Sequence, residues 1–127
     1  MIATATPMRE KFAGITETES FGYCLRDFLD RFREAPSYDL IAEEPELLEP
    51  KLGDNGRADA FLASTAAYLA QKHQFPTPAW ASGTSRALEK PWFAANSHNL
   101  RMILLQESPA AFRVRNLFVS ANALSRA

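Results

Sequence analysis

"TETESFGYCLRDFLDRFREAP", residues 16–36, decides the fold class. Phe21, Leu25, Phe28, Leu29 and Phe32 recur at helical spacing, and Arg26, Asp27, Asp30, Arg31 and Arg33 fall mostly between them. A stripe of this period lies along one side of an α-helix and buries against a neighbour. Thr16 and Glu19 stand at capping-box spacing, so the helix is expected to begin there and to stop before Pro36. Cys24 lies beside the stripe and is expected to be a small buried hydrophobe rather than a nucleophile.

The rest of the chain repeats this pattern with different punctuation. Ser37 is placed to cap a short helix through Tyr38, Leu40 and Ile41, after which "PELLEPKLGDNG", residues 45–56, reads as a loop. Asp54 or Asn55 then opens an alanine-rich helix carrying Ala58, Phe61, Leu62, Thr65 and Leu69 as far as about His73. "QFPTPAWASG", residues 74–83, is an extended connection with Phe75 and Trp80 as anchors, and Thr84 or Ser85 caps one turn through Leu88. Asn96 or Ser97 starts a third strong helix with Leu100, Ile103 and Leu104 as its stripe. Ser108 and Pro109 restart a helix at once, with proline at the first position, where its missing N–H costs nothing. Phe112, Val114, Leu117 and Val119 are expected to turn inward and Arg113 and Arg115 outward. Residues 116–119 read as a short extended piece, and Ser120 or Asn122 caps a last turn. The expected architecture is all-α, one compact domain of five or six helices over residues 16–127 with at most one very short strand pair. Residues 1–15 are expected to be a flexible lead-in.

Composition narrows the function classes. With 127 residues, 46% hydrophobic and 23% charged, the chain is long enough for one core and needs no disulfide or metal staple. It holds a single cysteine and no long apolar run or secretory leader, so the expectation is a cytoplasmic protein without membrane contact. The net charge of −1 hides a split: residues 1–60 carry 7 Lys/Arg against 13 Asp/Glu, and residues 61–127 carry 7 against 2. The two halves are expected to neutralise one another, unless one face meets a charged partner.

Chemistry is hard to find. His73 and His98 lack the partners a zinc site needs, so no metal or other cofactor is expected. Glu43, Glu44, Glu46 and Glu49 form an acidic run of the kind usually solvated, and "GDNGRAD", residues 53–59, lacks a phosphate loop's lysine. No catalytic constellation emerges, and a cleft built from Glu43, Glu44 and His98 would require distant residues to converge. Two binding readings remain. Trp80, Trp92 and Phe93, in proline-flanked segments, are expected first to cover the ends of helices, as large aromatics in loops commonly do, and "KPWF" at 90–93 is the alternative hot spot for a protein partner. Arg101, Arg113, Arg115 and Arg126, with Phe112 and Phe118, make the C-terminal part basic. Useful phosphate affinity wants about six or more cations on one face, so nucleic acid is the alternative partner and would require a homodimer or a fusion.

"DAFLASTAAYLAQKHQFPTPAW" at 59–80, "EKPWF" at 89–93 and "LRMILLQESPAAFRVRNLFVSANAL" at 100–124 together resemble a family of small bacterial all-α proteins. The resemblance spans roughly residues 20–127 and is most specific at Glu107 to Leu124 and at Pro91-Trp92-Phe93. In that family a similar region sometimes follows an N-terminal helix-turn-helix domain. Its members resemble the antitoxin-like half of a gene pair beside a nucleotidyltransferase-like protein. The resemblance implies a non-catalytic interaction or regulatory module whose partner is the product of a neighbouring gene; it carries over no catalytic residue. Only about 15 residues precede the first strong helix here, so the helix-turn-helix part is not expected in this chain. The candidate partner-binding residues are Trp80, Trp92, Phe93, Arg101, Arg113 and Arg115.

Overall fold

The computed structural model describes residues 6–95, 97–121 and 123–124. Six α-helices and one short strand pair make up its regular structure: α1 (Met8–Lys11), α2 (Thr18–Glu34), α3 (Glu49–Leu52), α4 (Arg57–Lys72), β1 (Trp92–Phe93), α5 (His98–Glu107), α6 (Ala110–Arg113) and β2 (Leu117–Phe118). Single 3-10 turns at Tyr38–Leu40, Ala79–Ser82 and Thr84–Arg86 fill the connections. Among the described residues no helix is long and apolar enough to cross a membrane.

Helix α4 is the axis of the domain. Its six alanines, 58, 60, 63, 66, 67 and 70, are all buried, and small side chains let α6 and the turns at 79–86 pack directly against its backbone. Asp54 caps it, its carboxylate accepting the Gly56 and Ala58 N–H groups at 3.1 and 2.9 Å. Gly53 and Gly56 make the preceding turn feasible, at φ of +60° and +86°. Around this small-residue axis sits an aromatic shell. Phe28 and Phe32 of α2 are buried, and Phe61 meets Phe112 edge-on at 5.1 Å between ring centres.

Several local expectations are corrected. Residues 8–15 belong to the domain rather than to a lead-in: Met8, Phe12 and Ile15 are buried in the core, and Phe12 packs its ring on Phe21 at 5.4 Å. Apolar residues spaced at 8, 12 and 15 mark one helical face, a signal too short to read without its partner. The capping box does not form, because α2 starts at Thr18 with Glu17 before it and no side-chain cap. The loop at 45–56 contains α3, whose first amides, Leu48 and Glu49 N–H, are held by the Asp59 carboxylate at 2.6 and 3.1 Å. Ser37 caps its turn as expected, its hydroxyl accepting Asp39 N–H at 3.3 Å, and Ser97 caps α5, accepting Leu100 N–H at 3.2 Å. The alternatives Asn96 and Asn122 lie outside the described residues.

The strand pair is parallel, Trp92 opposite Leu117 and Phe93 opposite Phe118, so α5 and α6 form the crossover between its two strands. Ser108 locks that crossover. Instead of capping α6, its buried hydroxyl accepts Val119 N–H at 2.9 Å and lies 2.6 Å from the Leu104 carbonyl. Helix α5 is otherwise lightly attached: Leu104 is buried, whereas Leu100 and Ile103, expected beside it in the core, are 52% and 50% exposed.

Candidate functional site

The six candidate partner-binding residues do not form one site. Trp80 is an internal anchor, its indole N–H donating to the Ile41 carbonyl at 3.0 Å and its ring lying 5.0 Å from the Arg86 guanidinium. Arg115 reverses its expectation. It is 8% exposed; Nε and Nη2 donate to the Ala81 carbonyl at 3.1 and 2.9 Å, and Nη1 donates to the Ala111 carbonyl at 2.6 Å. The turn at Ala79–Ser82 and the single turn of α6 leave carbonyls without helical partners, and a guanidinium fork reaches both. Burial pushes this guanidinium below its ordinary pKa. Arg113 does point outward, resting an Nη2 on the Ser108 carbonyl at 2.8 Å, while Val114 is 72% exposed rather than inward. Arg126 lies outside the described residues.

The charge split is resolved in part by a buried cluster that sequence reading missed. Arg86, 1% exposed, reaches Glu44 at 3.1 Å and Asp59, also 1% exposed, at 3.5 Å, and it donates to the Pro45 carbonyl. The acidic first half and basic second half therefore meet at one arginine. Burial raises the Asp59 carboxyl above its ordinary value, opposed by the Leu48 and Glu49 amides and then by the Arg86 charge. Glu43 is paired with Arg9 at 2.9 Å and Glu46 with Lys51 at 2.7 Å, and His98 opens α5, an element apart from this acidic run. Among the described residues no three His, Cys, Asp or Glu side chains gather as a metal would require.

Phe93, Arg101 and α5 make one surface. Phe93 stacks on Phe118 with ring centres 4.8 Å apart and planes 17° apart. Arg101 lies 5.6 Å over Phe93 and donates Nε–H to the Ala95 carbonyl at 3.2 Å. These contacts fix the base of α5, from which Leu100, Met102, Ile103 and Leu105 project, each at least 40% exposed. Leu100 and Ile103 stand three residues apart, as do Met102 and Leu105; helical geometry sets the two pairs on either side of the helix, with Leu104 facing in. Single exposed apolar residues are ordinary; four on a ten-residue helix make a patch.

Trp92 belongs to a second place. Together with Arg57 it flanks a cleft of about 250 Å³ between α2 and the start of α4, and a shallow trough of about 930 Å³ runs past it toward Glu89 and Lys90. No family model matches the chain, and no curated protein or solved structure is significantly similar to it.

Proposed function

We propose that this chain is a non-catalytic, cytoplasmic interaction module that docks a protein partner on α5, as the antitoxin-like or regulatory member of a bacterial gene pair. The observation that carries the reading is the exposure of Leu100, Met102, Ile103 and Leu105 on a helix whose own base is fixed by Phe93, Arg101 and Ser108. Such a helix offers anchors at i and i+3 to an apolar groove without first having to order itself. The partner is expected to be the product of the neighbouring gene, a nucleotidyltransferase-like protein by the resemblance above. The reading through C-terminal arginines is less well supported, since Arg115 spends its donors on backbone carbonyls.

Co-expression with the neighbouring gene product tests the proposal. The wild-type chain is expected to retain it through purification, whereas Met102→Asp combined with Leu105→Asp abolishes retention and leaves circular dichroism and melting unchanged. A wild-type chain that purifies alone and monodisperse, or a double variant that keeps its partner, would sink it.

A further inference from the structure

The cleft beside Trp92 has the chemistry of a small-molecule site, independent of what docks on α5. Phe21, Leu52, Phe61 and Trp92 supply its walls, with Asp54 and Arg57 as charged groups on its lining. The walls are set before any ligand arrives. Phe21 meets Phe61 edge-on at 6.3 Å and 89°, and the Trp92 main chain is pinned in β1, its backbone N–H donating to the Asn116 carbonyl at 2.9 Å. Pre-set walls of this kind spare a ligand the ordering cost of binding.

The two charged groups are not equivalent. The Asp54 oxygens accept the Gly56 amide just before α4 and the Ala58 amide in its first turn, at 3.1 and 2.9 Å, so the positive end of that 16-residue helix already stabilises its charge. Arg57 has no such counterpart. Among the described residues it makes no ion pair, in contrast with Arg9, Arg31 and Arg86, and its guanidinium lies 5.0 Å over the Trp92 ring. A guanidinium resting over an aromatic face keeps its in-plane N–H donors for a planar anion. We infer that the cleft binds a small carboxylic acid with an apolar, preferably aromatic, body, the carboxylate on Arg57 and the body between Trp92 and the two phenylalanines. A volume of about 250 Å³ is below the usual range for drug-sized ligands, which restricts the class to aryl and short-chain acids.

Phenylacetate is the probe, with phenylacetamide as its uncharged counterpart, and the readout is the pair of indole N–H resonances in a ¹⁵N–¹H spectrum. The Trp92 signal is expected to shift saturably with phenylacetate while the Trp80 signal stays in place. Binding should weaken by about tenfold or more for the amide and for Arg57→Gln, the loss of one charge-assisted contact. Arg57→Gln removes no hydrogen bond within the fold, and the acid-against-amide comparison needs no variant at all. Equal affinity for acid and amide, unaltered binding by Arg57→Gln, or no saturable Trp92 shift overturns the assignment.

Discussion

Replacing Arg115 by alanine should damage the fold, although the residue looks like a surface charge in the sequence. Its guanidinium satisfies two carbonyls, Ala81 and Ala111, with three hydrogen bonds, and the side chain is 8% exposed. Leaving a buried acceptor without its donor costs about 1–3 kcal/mol, so two of them cost about 2–6 kcal/mol. For a domain of this size each kcal/mol lowers the melting temperature by about 3–5 °C, which puts the loss at about 6–30 °C. Arg113→Ala is the internal control, because that side chain is exposed and a surface replacement stays within about 0.5 kcal/mol. Arg115→Lys separates charge from geometry, since one ammonium cannot serve both carbonyls as the fork does, and most of the loss should remain. Thermal melts followed by circular dichroism decide the matter. If Arg115→Ala and Arg113→Ala melt within about 2 °C of each other, the internal role assigned to Arg115 is wrong.

Phe112→Ala should cost about 3–5 kcal/mol by denaturant titration, the usual range for removing a buried phenylalanine; the ring is fully buried, and an unchanged midpoint would place it outside the core. The pH dependence has two opposing parts. Folding raises the Asp59 carboxyl above its ordinary value of 3.8, so the native state holds that proton to higher pH than the unfolded chain does. Its stabilisation is complete below about 3.8 and is lost as pH rises through the folded value. Glu46 is lowered from 4.5 by its hydrogen bond to Lys51 and then by the Gly14 amide, so its contribution is present above about 4.5 and is lost on acidification. The wild type should lose melting temperature relative to Asp59→Asn as pH rises, and relative to Glu46→Gln as pH falls; the reverse trend in either series contradicts the corresponding environment.

The fold was legible wherever a face of one helix spoke for itself. Phe28, Leu29 and Phe32 announce α2, the alanines announce α4, and Phe112 lies in the core as its surroundings suggest. Periodicity says that a helix forms but not which of its apolar residues find a partner within the same chain, which is why Leu100 and Ile103 of α5 were expected inside. Residue type misled at the charged positions. Asp59, Arg86 and Arg115 are buried because each reaches backbone amides or carbonyls, and two of them reach each other, through contacts made by segments far apart in sequence. The cleft at Arg57 was equally hidden: its walls come from α2, α3, α4 and β1, and no spacing within "GDNGRAD" reports an indole from residue 92.

The alanine axis of α4 constrains how this sequence can drift. Six buried positions already carry nearly the smallest side chain available, so almost every replacement there adds volume where close packing leaves none. Change at the centre is thus one-sided, with glycine weakening the helix and anything larger prying α6 and the turns at 79–86 away. Variation has to be absorbed by the phenylalanines and leucines around the axis, whose sizes can be exchanged against one another. Distant descendants should therefore keep the run of small residues at 58, 60, 63, 66, 67 and 70 while their aromatic shell is redrawn.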